Sequence, residues 1–152
     1  MKVSDLMTRE VVTCPENAML GEAVRLMWDH RIGFLPVVSD GDGALVGVIT
    51  DRDAALAAWL HDKPIREIPV RAVMSVQVGT CGAEAEIDEA ELRMSELQVR
   101  RLPVIGDRGQ VVGVISLDDV ARQAAGKADA ELEEEVALTL GAIAQPRAND
   151  AR

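Results

Sequence analysis

One pattern is written twice in this chain. Residues 7–53 read MTREVVTCPENAMLGEAVRLMWDHRIGFLPVVSDGDGALVGVITDRD, and residues 74–119 read MSVQVGTCGAEAEIDEAELRMSELQVRRLPVIGDRGQVVGVISLDD. Matching positions stand 67 residues apart at Met7 and Met74, Thr13 and Thr80, Ala23 and Ala90, Met27 and Met94, and Pro36 and Pro103. The offset falls to 66 after a hairpin tip, at Gly47 and Gly113 and at Thr50 and Ser116. An internal repeat sets the unit of folding before any other consideration. Each copy is too short to bury a good core alone, so the two are expected to fold together.

Within each copy the periodicity predicts the same order of elements. A short helix opens it (Val3 to Met7; Val70 to Met74), then an extended piece (Val11 to Thr13; Val78 to Thr80). A helix follows over Met19 to His30 and Ile87 to Leu97. Its inward stripe is Leu20, Ala23, Met27 and His30 in the first copy, and Ile87, Ala90, Met94 and Leu97 in the second. Steps of 3, 4 and 3 mark one face of an α-helix. Two apolar strands come next, Phe34 to Val38 and Leu45 to Thr50, around the turn residues 39–43; the second copy has Leu102 to Ile105 and Val111 to Ser116. Asp40 and Asp42 resemble part of a calcium loop, but the later ligands are missing, so a turn is expected. A further helix starts near Asp51 or Asp53 and ends near His61, with a counterpart from Asp118. The division expected is a first repeat over 1–62, a linker over 63–69, a second repeat over 70–125, and a C-terminal helix and tail over 126–152. In that tail Leu132, Val136, Leu140 and Ile143 form the apolar stripe, the Glu-rich run 131–135 reads as a solvated face, and Gln145 to Arg152 as a frayed end.

Composition closes off several classes of function. The 152 residues carry a net charge of −10 and only three aromatic side chains, Trp28, Trp59 and Phe34. Neither clustered base nor a stacking platform for nucleic acid is present. No apolar run approaches the roughly 20 residues of a membrane helix, and the first ten residues lack a signal-peptide core; a cytoplasmic protein is expected. Cys14 and Cys81 occupy matching positions and read as buried free thiols rather than a disulfide framework. His30 and His61 are isolated, His30 as a half-buried core residue. No metal-ligand spacing, Walker lysine loop or nucleophile motif occurs, so no catalytic residue and no metal ligand is assigned.

The informative string is Gly47-Val48-Ile49-Thr50-Asp51-Arg52-Asp53, echoed by Gly113-Val114-Ile115-Ser116-Leu117-Asp118-Asp119. A buried strand ends in a hydroxyl residue and a helix begins. The hydroxyl can cap that helix, and the helix N-terminus, with unpaired N–H groups, can attract an anion. An Asp one turn on can accept the hydroxyls of a ribose. Gly47 and Gly113 permit close backbone approach. A nucleotide satisfies all of these.

With its MT and MS starts, its LPVV and LPVI strands and its paired Gly-h-h-Ser/Thr-x-x-Asp strings (h is apolar), the chain resembles a tandem CBS-domain protein, a Bateman module, over about residues 1 to 122. The resemblance implies an α/β (α+β) fold: two β-α-β-β-α repeats packed through their sheets as a pseudo-two-fold module, here with an added C-terminal helix, and often a homodimer. It implies regulatory binding of AMP, ADP or ATP, or of S-adenosylmethionine, between the repeats. Carried over, Thr50 and Asp53 serve one site, Ser116 and Asp119 the other. Main-chain groups at Val12, Thr13, Gly79 and Thr80 read the base. Ile32, Gly33, Phe34 and Pro36, and Val99, Arg100, Arg101 and Pro103, line the sites. Arg100 and Arg101, and Arg52, are the candidate phosphate ligands, because a guanidinium can hold two oxygens at once. Leu117 and Asp118 stand where the first copy has Asp51 and Arg52, so the two sites are not expected to be equal. The expected partners are an adenosine-containing ligand, a second copy and an unidentified effector protein, with no nucleic acid and no membrane. The rival reading is a protein-interaction module independent of nucleotide.

Overall fold

The computed structural model describes residues 1–146. It holds two three-stranded sheets, in the orders β1-β2-β3 and β4-β5-β6. In chain order the elements are α1 (Val3–Leu6), β1 (Cys14–Pro15), α2 (Leu20–His30), β2 (Phe34–Val38), β3 (Leu45–Thr50) and α3 (Asp51–His61). Two 3-10 turns follow, at Ile65–Glu67 and Val70–Ala72. Then come β4 (Cys81–Gly82), α4 (Ile87–Leu97), β5 (Arg101–Ile105), β6 (Val111–Ser116), α5 (Leu117–Lys127) and α6 (Ala130–Ile143). The mixed α/β class expected from the repeat is what is found. Among the described residues no helix is long and apolar enough to cross a membrane.

The elements form two compact units, and these are not contiguous in sequence. Among the described residues, one contains 1–9, 79–104 and 112–146; the other contains 10–78 and 105–111. The opening segment of the chain therefore belongs with the second repeat, and residues 70–78 belong with the first. In the first-named unit Val3 N–H donates to the Ala85 carbonyl (2.9 Å), and Thr8 and Val114 exchange both backbone hydrogen bonds (2.9 and 3.0 Å). In the other unit Val48 and Ser75 do the same (3.0 and 2.9 Å).

That exchange explains a proline in a central strand. Pro36 lies opposite Val48 in the antiparallel β2–β3 register. A proline cannot donate to the ladder, and Val48 turns both its polar groups outward to Ser75 instead. Gly47 makes the approach possible: a Cβ there would meet Met74 Sδ at 2.8 Å and the Ser75 carbonyl oxygen at 3.0 Å. At Gly113 a Cβ would meet Met7 Sδ at 2.5 Å and the Thr8 carbonyl oxygen at 3.2 Å. The close backbone approach expected at these glycines is real, and its occupant is another stretch of the chain.

The cores repeat each other at most positions of the sheets and of α2 and α4. Cys14, Leu20, Ala23, Met27, Leu35, Val37, Ile49 and Val70 are buried in one; Ile87, Ala90, Met94, Leu102, Val104, Ile115 and Val3 take the equivalent places in the other, with Cys81 packed against them. Several readings need correction. The second copy's opening helix is only a 3-10 turn, and the short first strands start after Thr13 and Thr80. His30 is exposed: α2 stops there, with Arg31 in the left-handed region (φ 55°), and the last turn has left the core face. The stretch 63–69 is ordered, with Ile68 2% exposed and its carbonyl accepting from Leu20 N–H (2.8 Å). On α6 the inward residue is Thr139, while Leu140 is 40% exposed, so the stripe runs Leu132, Val136, Thr139, Ile143. Glu135 in the acidic run is half-buried. Gln145 is anchored, its carbonyl accepting from Gln98 Nε2 (3.0 Å); the rest of the tail, from residue 147, lies outside the described residues. The turn at 39–43 is closed by Asp42, whose carboxylate takes a hydrogen bond from the Ser39 hydroxyl and from Ala44 N–H (3.1 Å).

Three substitutions test this account. Gly47→Ala and Gly113→Ala press a methyl on backbone oxygen, and each is expected to lower unfolding free energy by about 1–3 kcal/mol in a urea titration. Ala128 holds the left-handed C-cap of α5 (φ 52°), where a Cβ costs about 1 kcal/mol. Ala128→Gly is expected to raise the urea midpoint, and a lower midpoint would refute that strain.

Candidate functional site

Each strand-to-helix junction is closed by a reciprocal cap. At the start of α3, Asp53 Oδ2 accepts from Thr50 N–H (2.9 Å) and from the Thr50 hydroxyl (2.8 Å). Thr50 Oγ1 accepts in turn from Asp53 N–H (3.2 Å). At the start of α5, Asp119 Oδ2 accepts from Ser116 N–H (2.9 Å) and Ser116 Oγ (2.5 Å), and Ser116 Oγ accepts from Asp119 N–H (3.2 Å). An N-cap of this kind contributes about 1 kcal/mol. Each hydroxyl thus commits its proton and one lone pair to the cap, and one oxygen of each aspartate accepts two bonds there.

The other oxygen separates the two junctions. Asp119 Oδ1 is paired with the Arg122 guanidinium. Arg122 is one turn along the helix, and the first repeat has Leu56 there. Among the described residues nothing is hydrogen-bonded to Asp53 Oδ1. Sequence reasoning missed Arg122, although comparing the helices beyond the Asp of each string would have exposed the difference. The start of α3 also departs from expectation. The first N–H groups of α3 are already satisfied: Asp51 N–H donates to the Gly33 carbonyl (3.2 Å), Arg52 N–H to Asp51 Oδ1 (2.7 Å), and Asp53 N–H to Thr50. No spare donor remains for an anion there, so cationic side chains must supply that attraction.

Of the remaining candidates, Phe34 and Gly33 lie beside the first cap and Arg100 and Arg101 beside the second. Phe34 faces Thr50 in the register of β2 and β3, and Gly33 reaches Asp51 through its carbonyl; a Cβ on Gly33 would meet Asp51 Oδ2 at 2.7 Å. In the other unit the Arg100 carbonyl accepts from Leu117 N–H (3.0 Å), and Arg101 reaches Asp118 at 3.5 Å. Arg52, Arg100 and Arg101 are exposed; Val12, Thr13, Gly79, Thr80 and Val99 are half-buried. Pro36 and Pro103 are buried within their strands and offer little surface to a ligand. Gly79 sits against Leu97.

Two adjoining hollows open on the α2–α3 side of the unit that holds residues 10–78. One, of about 690 Å³, is lined by Trp28, Asp29, Arg31, Ile32, Gly33 and Asp51, with Met27 at its edge. The other, about 430 Å³, is apolar and runs between the helices along Val24, Met27, Ala54, Ala55, Ala58 and Ile65. Ile32 and Gly33 line the first, as expected of site residues, but neither Thr50 nor Asp53 lines either. Burial pushes the Cys14 thiol up to about 11, helped by the Glu22 charge, and burial pushes Cys81 up to about 11 as well. Both stay protonated and unreactive at neutral pH.

The comparisons with known proteins agree with this anatomy. The family model for the CBS domain matches twice, over residues 3–59 and 70–126. CBS domain-containing protein YhcV of Bacillus subtilis is 36% identical over 119 residues, 78% of this chain and 82% of that protein. L-aspartate semialdehyde sulfurtransferase of Methanocaldococcus jannaschii is 33% identical over 82% of this chain, which spans only 23% of that enzyme. Among solved structures, the CBS domain pair of protein MJ0100, in complex with 5′-methylthioadenosine and S-adenosyl-L-methionine, superposes with a TM-score of 0.74 at 31% identity, covering 84% of this chain and 98% of that one. With two matches in tandem and these relatives, the chain belongs to the CBS-domain family, as a pair of CBS repeats.

Proposed function

We propose that the chain is a non-catalytic regulatory module that binds an adenosine-containing ligand at its strand-to-helix junctions. The observation that carries this reading is the carboxylate of Asp53: one oxygen is fixed by the cap, while the other has no hydrogen-bond partner among the described residues and can accept a ribose hydroxyl. The related pair from MJ0100, bound to two adenosine derivatives, supports the ligand class. Charge separates the two junctions. Asp51 and Asp53 flank Arg52 at one, which suits a nucleoside with little negative charge, such as S-adenosylmethionine. At the other, Arg101 pairs with Asp118 and Arg122 with Asp119, and Arg100 adjoins them in sequence, a set of guanidinium groups that suits phosphate, as in AMP, ADP or ATP. There a phosphate draws Arg122 away and frees Asp119 Oδ1 for ribose. Signalling follows from differential affinity between conformational or oligomeric states, read by an effector protein.

A second copy is the expected first partner. Trp28 and Trp59 are 83% and 79% exposed on α2 and α3, and Leu60 is 68% exposed. At the equivalent positions the other repeat has Ser95, Ala125 and Gly126, on the two helices that α6 packs against. A self-complementary contact through the tryptophan face is the simplest way to cover it.

Thermal unfolding with 5′-methylthioadenosine, S-adenosylmethionine, AMP and ATP tests the ligand reading. At about 100 times its dissociation constant a ligand adds roughly 2.7 kcal/mol, a shift of several °C. Asp53→Ala also loses a cap, so the quantity to read is the shift caused by ligand, not the starting Tm. Asp53→Ala is expected to weaken the methylthioadenosine or S-adenosylmethionine response about 10- to 100-fold in affinity, the cost of a hydrogen bond to a charged group, and Asp119→Ala the AMP or ATP response. Absence of any shift in the parent would favour the nucleotide-independent interaction module. For the partner, light scattering after size exclusion is expected to give a dimer of the 16.3 kDa chain that Trp59→Glu turns into a monomer; a monomeric parent would remove the second-copy reading.

A further inference from the structure

The α4–α6 junction carries a feature outside the nucleotide reading. Glu91, on α4, is only 4% exposed, and its Oε1 has no hydrogen-bond partner. A carboxylate so placed is costly, because burial disfavours its charged form. Asp88, one turn earlier on the same helix face, and Glu135, on α6, converge on it: one carboxylate oxygen from each of the three lies within 4.8 Å of the others. Among the described residues no Lys or Arg forms an ion pair with any of them. Burial, and then the Glu135 charge, push the Glu91 carboxyl up to about 7, against a hydrogen bond from Thr139.

The repeat itself argues that this cluster is not inherited from the fold. The positions equivalent to Asp88 and Glu91 are Gly21 and Val24, and Val24 lines the apolar groove of the other unit. At these equivalent positions only the helix that α6 packs against carries acids, where a core residue would pack at no electrostatic cost.

We propose that Asp88, Glu91 and Glu135 bind a hard divalent cation that clamps α6 onto α4. An all-oxygen donor set selects calcium or manganese over softer metals. With metal–oxygen distances of about 2.3–2.6 Å, opposed ligand oxygens stand up to about 5 Å apart, which accommodates the spacing seen. The cation supplies the missing partner of Glu91 Oε1 and cancels the mutual repulsion of three carboxylates. Water completes its coordination on the exposed side of Asp88.

Calcium chloride and manganese chloride, each titrated into the full chain at pH 8 after treatment with EDTA, test the clamp. Isothermal calorimetry is expected to show one site per chain, and millimolar metal to raise Tm by several °C. Glu91→Gln keeps the shape and removes the buried charge, so it is expected to fold at least as stably as the parent without metal while losing affinity at least about 10-fold. Asp88→Asn and Glu135→Gln are expected to lose affinity likewise, and Arg93→Gln, on the same helix, to leave it unchanged. A parent that binds neither ion at 5 mM overturns the proposal, as does a response that persists in Glu91→Gln and Glu135→Gln.

Discussion

Everything in this fold rests on the pairs of backbone hydrogen bonds by which Val48 grips Ser75 and Val114 grips Thr8. Each closes the open side of a strand, and in the first repeat the other neighbour carries a proline, Pro36, at the position facing Val48. Each requires a glycine one residue earlier, since a side chain there would strike the incoming segment. Each draws in a methionine, Met74 or Met7, against the sheet. Without the incoming segment the strand would expose unpaired polar groups beside an apolar core. Such an edge is unstable and invites wrong pairing.

From that constraint the junctions follow. With β3 and β6 fixed on both sides, their last residues, Thr50 and Ser116, are held where the chain must turn into a helix. The reciprocal cap then orients Asp53 and Asp119 more tightly than a surface carboxylate would hold itself. Capping and ligand recognition are therefore not competing explanations of the motif. The cap uses one oxygen and positions the other, and the difference between Leu56 and Arg122 decides whether that second oxygen stands open.

Much of this was legible in the sequence because helix and strand periods are local. The borders of α4, β2, β3 and β6 came directly from spacing and turn residues, and the doubled Gly-h-h-Ser/Thr-x-x-Asp string marked both junctions. What escaped depends on contacts distant in sequence. His30 obeys the helical period but falls on the last turn, where α2 leaves the core. Thr139 and Leu140 are neighbours in a helix whose facing direction is set by α4 and α5, and only packing tells them apart. Glu91 reads as an ordinary surface acid until α6 covers it. The exchange of opening segments has no periodic signature at all.

That exchange also bears on synthesis. A chain emerging from the ribosome would present residues 1–9 well before their partners, Ala83, Ala85 and Val114, which appear more than 70 residues later. The unit built on residues 10–78 has nearly all its chain once Val78 is out and can close early; the other must wait for the C-terminal third, holding Val3 and Met7 exposed meanwhile. Long-range closure of this kind is slow relative to local helix formation. The order of folding therefore runs against the order of the chain, and the amino-terminal segment is among the last pieces to find its place.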